Sequence, residues 1–140
     1  MTPHGTPRPL TVFVADDDDT MRSLVVETLR AAGHFAIEAR DGDGLLTLLE
    51  CAEVDASVRP DVIVTDVLMP SLSGLGVLNA LRRARWDVPS VVITALTDDS
   101  VRVVAKRLGA VRVLRKPFDI EDLMTAVLSA ARLSGRLTGR

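Results

Sequence analysis

"LTVFVADDDDT", residues 10–20, sets the unbroken apolar run Val12 to Ala15 against four aspartates, with no lysine or arginine between them. Apolar side chains at consecutive positions do not fit a strand with one wet face. They fit a strand buried on both faces, as in a parallel sheet covered by helices. The aspartates then stand at the carboxyl end of that strand. Side by side they repel, and two chemistries could use them. Asp16 could be a nucleophile, in the pattern Asp-x-Asp-x-Thr. Alternatively, part of the cluster could be a metal seat for chemistry at a different residue.

The same alternation runs outward from this stretch. Thr20 to Ala32 reads as a helix closed by Gly33. "FAIEA" (35–39) is a second strand, and Leu45, Leu48, Leu49 and Ala52 have helical spacing after "DGDG". "DVIVTD" (61–66) is a third strand, and Val77, Leu78 and Leu81 mark a helix that Ser73 can cap. "SVVITA" (90–95) is a fourth strand, followed by a helix through Val101, Val104, Ala105 and Leu108 that stops at Gly109. "VRVL" (111–114) is a fifth, and Arg112 with Arg115 directly after it suits a sheet edge. Ile120, Leu123, Met124, Val127 and Ala131 mark the last helix. Five strands alternating with five helices predict a doubly wound parallel sheet with helices on both faces.

The totals suit this reading. At 140 residues, 47% apolar and 26% charged, the chain is sized for one globular domain. We expect the domain over 10–133, with a flexible tail at 1–9 and a polar one at 134–140. A net charge of −2 gives no footprint for nucleic acid or an anionic membrane. The single cysteine, Cys51, excludes an internal disulfide and reads as a small core or near-surface residue. "MTPHGTPRPL" lacks the apolar core of a signal peptide, and no run reaches transmembrane length. The expected location is the cytoplasm.

Ligand sites in doubly wound sheets lie at the carboxyl ends of strands, near the switch in strand order. Those ends gather Asp16 and Asp17, Asp66, Thr94 and the Lys116-Pro117 pair. Two like charges about 4 Å apart repel by about 4 kcal/mol at an effective dielectric near 20. Three ionised carboxylates therefore need a cation beyond one lysine. Few, hard oxygen ligands favour Mg²⁺. Phosphoryl transfer follows: cations neutralise phosphoryl oxygens, a hydroxyl donates a hydrogen bond, and a carboxylate attacks.

With these residues in place, the chain resembles bacterial response-regulator receiver domains. The matching pieces are "VFVADD" with "TMR" after it, "DVIVTDVLMP", "SG" at 73–74, "VVITA", "LGA" at 108–110 and "KPF" at 116–118. The resemblance implies a flavodoxin-like fold with strand order 2-1-3-4-5. It makes Asp66 the phosphoacceptor and Asp16 and Asp17 the acidic pair that holds Mg²⁺ with Asp66. The backbone carbonyl of Leu68 is a further implied ligand. Thr94 and Lys116 would each meet a phosphoryl oxygen, and the bond after Lys116 would be cis. The implied donor is a phosphohistidine on a sensor histidine kinase or phosphotransfer protein. The implied output is a downstream protein partner or an output domain beyond this sequence, with a phosphorylation-dependent dimer as one form. Such a domain is a signalling module that assists its own phosphorylation and dephosphorylation, rather than an enzyme.

Other readings compete. Asp18 and Asp19 read as the entry to the first helix. His4 and His34 read as surface or capping residues, Met21, Met69 and Met124 as packing, and Trp86 as the cover of a helix end. Arg82, Arg83 and Arg85 read as a solvated face. The string Asp16 to Thr20 also fits the haloacid-dehalogenase phosphatase motif with Asp16 as nucleophile. That family needs a later acidic pair at a strand end, where this chain has Asp119, Glu121 and Asp122 at a helix start. Val113 stands where receivers usually carry an aromatic, which keeps open signalling without phosphorylation. Ser73 and Gly44 replace a frequent aspartate and glutamate. "EVDASVRP" lengthens one connection, expected at the end of the sheet away from the site. Leu68 and Leu96 occupy positions where the family tunes dephosphorylation, and apolar side chains there imply a persistent phosphoryl group.

Overall fold

In the computed structural model, which describes residues 8–133, the side chains of β1 (Thr11–Ala15) alternate between two hydrophobic layers. Val12 and Val14 face one, with Val25, Val26 and Leu29 of α1 (Asp19–Ala31) and Leu123 and Val127 of α5 (Ile120–Leu133). Phe13 and Ala15 face the other, with Leu45 and Leu49 of α2 (Gly42–Val54) and Val77 and Leu78 of α3 (Gly74–Arg83). α4 (Asp99–Arg107) covers the same second face through Ala105. A strand that feeds two cores cannot afford a polar position, which is why "VFVA" is apolar throughout.

The remaining strands are β2 (Phe35–Ala39), β3 (Val62–Asp66), β4 (Ser90–Thr94) and β5 (Ala110–Arg115). All pair in parallel in the order β2-β1-β3-β4-β5. The doubly wound, flavodoxin-like expectation is therefore correct in topology, and β5 is an edge. The switch in strand order falls between β1 and β3, whose ends carry Asp16 and Asp66. The insertion "EVDASVRP" forms a short 3₁₀ turn, Ala56–Val58, at the opposite end of the sheet. Of the expected tails, 1–7 and 134–140 lie outside the described residues. Arg8 is held by a two-pronged ion pair to Asp61, whose carboxylate also accepts from the Thr11 N–H.

Helix ends follow local chemistry. Asp18 is the N-cap of α1, accepting from the Thr20 and Met21 N–H groups, and Asp41, Ser73 and Asp98 cap α2, α3 and α4. His34 does serve a helix end: its N–H donates to Leu29 O, and its Nδ1 accepts from the Leu10 N–H. Burial lowers its pKa.

α1 and α4 end on glycines in the left-handed region, Gly33 (φ 93°) and Gly109 (φ 100°). α3 ends the same way with Arg85 (φ 59°), whose N–H donates to Arg82 O while the Trp86 N–H donates to Leu81 O. Trp86 completes the closure, with Arg59 stacked 4.8 Å from its ring centroid. A Cβ-bearing residue in this conformation costs about 1–2 kcal/mol, partly offset by the greater unfolded-state freedom of glycine. Arg85→Gly is therefore expected to stabilise the fold by about 0.5–1 kcal/mol. A urea midpoint that stays or falls would show that the arginine side chain supplies more than its backbone costs.

Candidate functional site

Asp16 and Asp66 emerge side by side where β1 and β3 end. Asp16 is fully buried and Asp66 nearly so, whereas Asp17 is exposed. Carboxylate oxygens of Asp16, Asp17 and Asp66 lie within 4.8 Å of one another. The Lys116 ammonium bridges two of them, donating to Asp66 Oδ2 at 2.8 Å and Asp16 Oδ2 at 3.1 Å. Lys116 follows β5, and its own N–H donates to Thr94 O at 2.7 Å. The Lys116-Pro117 bond is cis, as the resemblance implied.

The other oxygens of Asp16 and Asp66 are also held. Asp16 Oδ1 accepts from the Asp18 N–H, and Asp66 Oδ1 from the Leu68 N–H at 3.3 Å. Leu68 lies two residues beyond Asp66, with its side chain half-exposed. Thr94 Oγ1 accepts from the Leu96 N–H at 3.0 Å, which leaves its own proton to donate.

Charge does not balance here, since one ammonium faces three carboxylates. Burial raises the Asp16 pKa, and nearby Asp66 adds to this, against the Asp18 N–H and Lys116. Burial pulls Lys116 down, but its bonds to Asp66 and Asp16 outweigh that, and its pKa is raised. An all-oxygen donor set with surplus negative charge and one open, solvent-facing member fits a hard divalent cation such as Mg²⁺.

The structure thus brings Asp16, Asp17, Asp66 and Lys116 together, with Thr94 tied to Lys116 through the backbone. Asp119, Glu121 and Asp122, which follow Lys116 where the phosphatase alternative needs an acidic pair at a strand end, are exposed at the start of α5 and lie outside the carboxylate group. Val113 is buried under α4, beside a cavity of about 20 Å³ that Thr94, Leu96 and Val101 also line. Cys51 is exposed.

Three residues that matter to the site were not singled out for such roles from sequence. Gly74 lies so close to β3 that an added Cβ would sit 2.0 Å from Asp66 O. Gly42 stands in the same relation to Leu72 O, at 1.9 Å. Arg22 is buried and donates to Asp16 O, Glu38 and Asp19. A signal for Arg22 was present: with Val25, Val26 and Leu29 it forms the i, i+3, i+4, i+7 stripe of α1, and a charge on a buried stripe must have partners.

Sheet and pocket together define a class: flavodoxin-like α/β domains with an acidic, lysine-bearing pocket at the switch point. The family model described as the response regulator receiver domain matches residues 12–128, and the chain belongs to that family. It is a receiver domain, the phosphoacceptor module of two-component signalling. The chain is 37% identical over 124 residues to response regulator MprA of Mycolicibacterium vanbaalenii, covering 89% of this chain and 51% of that protein. It is 31% identical over 125 residues to the probable transcriptional regulator ycf27 of Guillardia theta, covering 89% and 46%. It therefore spans about half the length of these relatives. Among solved structures, the receiver domain of the Francisella response regulator 1452 superposes with a TM-score of 0.80 at 28% identity, covering 89% of this chain and 98% of that one. FixJ-N superposes at 0.77 and 29% identity, covering 89% and 95%. The phosphatase alternative is set aside. Among the described residues, no helix is long and apolar enough to cross a membrane.

Proposed function

We propose that Asp66 is the residue that takes the phosphoryl group, from a phosphohistidine on a sensor histidine kinase or phosphotransfer protein. The observation that carries this reading is the Lys116 ammonium bridging Asp66 and Asp16 beside Asp17. An Asp66 oxygen attacks phosphorus; the P–N bond to the donor imidazole breaks, a P–O bond forms, and the imidazole leaves with a proton from solvent. Asp16, Asp17, Asp66 and the Leu68 carbonyl would hold Mg²⁺. When bound, the ion supplies charge neutralisation at the phosphoryl oxygens. Lys116 meets one phosphoryl oxygen, and Thr94 donates its hydroxyl proton to another. That draws the Leu96 loop inward, because the Leu96 N–H is bonded to the same hydroxyl. With Val113 in place of a ring, this loop carries the change toward the face of α4 and β5, where Val103 and Val104 are exposed.

That face would meet a downstream protein, an output domain or a second receiver in a phosphorylation-dependent dimer. No contact with nucleic acid is assigned to this domain, and we place it in the cytoplasm with its donor. Incubation with Mg²⁺ and acetyl phosphate tests the acceptor by intact mass. One phosphoryl group is expected on wild type and none on Asp66→Asn. Addition to neither protein would point to signalling without phosphorylation, and addition to Asp66→Asn that disappears in Asp16→Asn would move the acceptor.

The same reading makes the phosphoryl group persistent. Leu68 is half-exposed beside the carboxylates and Leu96 is partly buried beside Thr94, so an attacking water meets apolar side chains on both sides. The phosphorylated protein is expected to survive for many minutes after donor removal, and Leu68→Asn to shorten that life severalfold. Loss from wild type within seconds would remove the screening role.

A further inference from the structure

We infer that Arg22 is a positioning residue for the cation site, acting on Asp17 through the peptide between Asp16 and Asp17. The inference rests on the reading of Asp16 and Asp17 as metal holders. The Asp17 carboxylate is exposed and has no hydrogen-bond partner among the described residues, so flanking backbone must set its direction. Asp16 O and the Asp17 nitrogen share one planar peptide unit. Arg22 Nη1 donates to that carbonyl at 2.8 Å from within the first turns of α1. Its Nε donates to Glu38 on β2 at 2.8 Å, and its Nη2 to Asp19. One rigid fork thus ties α1, β2 and the acidic loop together, and the planar guanidinium lets a single side chain serve three differently placed acceptors.

The charge of Arg22 does not explain its place. A cation near a cation site would oppose binding, but Glu38 and Asp19 neutralise it; Glu38 foremost, and Asp19 after it, hold the guanidinium charged against its burial. What is left is geometry. Partners that orient the residues around a metal typically change affinity by about 10–100-fold when lost.

Arg22→Lys separates geometry from charge, since it keeps the charge and most of the stem but offers one compact ammonium. The test is a titration of the donor-free protein with Mg²⁺ alone, followed by the Asp17 amide in NMR spectra, beside urea unfolding of each variant. Arg22→Lys is expected to weaken Mg²⁺ binding by about tenfold and to shift the Asp17 amide before metal is added. Glu38→Gln, which keeps the bond to the Asp16 carbonyl, is expected to stay within about twofold. Val127→Ala, a buried change on α5, is expected to lower the urea midpoint without altering Mg²⁺ affinity. Unchanged affinity in Arg22→Lys would overturn the inference, as would an equal loss in Glu38→Gln or Val127→Ala. Should wild type itself fail to bind Mg²⁺, or bind as well with Asp17→Asn, the metal-site reading would fall first. If Arg22→Lys does not fold, Arg22→Met removes the donor to the Asp16 carbonyl on the same buried stripe; losing a nearby positive charge would by itself tighten Mg²⁺ binding, so weakened binding supports the inference and unchanged or tighter binding overturns it.

Discussion

Gly74→Ala is expected to cost about 3 kcal/mol or more of folding stability and to slow phosphoryl uptake at a residue eight positions away. At the first turn of a helix, alanine for glycine would ordinarily gain about 0.5–1 kcal/mol. Here the added Cβ would lie 2.0 Å from Asp66 O and 3.1 Å from Thr65 Oγ1. The nearer atom is backbone, so no rotamer change relieves the overlap, and α3 and the end of β3 must move apart. The Gly74 N–H is itself bonded to Val67 O, which holds the two segments together as the overlap pushes them apart. Clash therefore wins over propensity. The displaced group is the carbonyl of Asp66, so its carboxylate tilts away from Lys116 as well. Gly33→Ala is the contrast: nothing lies within 4 Å of its added Cβ, and only its φ of 93° is strained. Its expected cost is about 1 kcal/mol, with the site unaffected. Urea unfolding and acetyl-phosphate uptake check both variants. Gly74→Ala with a wild-type midpoint would mean that the approach of α3 to β3 is far more yielding than drawn.

The contrast between these glycines also shows what a sequence carries. Gly33 and Gly109 were legible because a glycine after a helical stripe has a local meaning. Gly74 was legible only as part of "SG": nothing local says that a strand's last carbonyl will lie against it. The inner strands β1, β3 and β4 were legible because burial on both faces leaves them almost wholly apolar, and the site followed from reading only the strand ends. Asp66, Asp16 and Lys116 are 50 and 100 positions from one another, yet strand direction alone brings them to one edge. Asp18 and Asp19 were legible as the entry to α1, since capping is local chemistry. Arg22 was passed over because its partners come from a loop, a neighbouring strand and its own helix. Arg85 shows the limit from the other side: a cap position normally marked by glycine is filled by a residue that gives no signal. Val113 was read as a departure, and the small cavity beside it depends on packing between α4 and β5 that periodicity cannot specify.

Lys116→Met should have the other large effect, and its size should depend on metal. In wild type the ammonium is the positive group bonded to two buried carboxylates. Removing one member of such a buried pair typically costs about 3–5 kcal/mol, because the partner is left charged and unpaired. Here the loss has a ceiling. One carboxylate can take a proton instead, and near neutral pH that costs about 4 kcal/mol, about 1.4 for each pH unit above the ordinary aspartate pKa. Solvent reaching the site through exposed Asp17 lowers the figure further, so about 2–3 kcal/mol is expected in metal-free buffer. The sign with pH is distinctive. Asp16 already has its pKa raised from 3.8 by burial, and losing Lys116 raises it more. A carboxylate raised in the fold binds more protons there than in the unfolded chain. Its penalty is therefore present above the folded value and is relieved as pH falls through that value toward 3.8. The variant should thus regain stability relative to wild type on mild acidification, and also on adding Mg²⁺ at neutral pH. Urea unfolding across pH, with Mg²⁺ and with a chelator, measures both. A deficit of equal size at every pH, with Mg²⁺ and with chelator alike, would mean that Lys116 stabilises by packing its stem rather than by balancing the three aspartates.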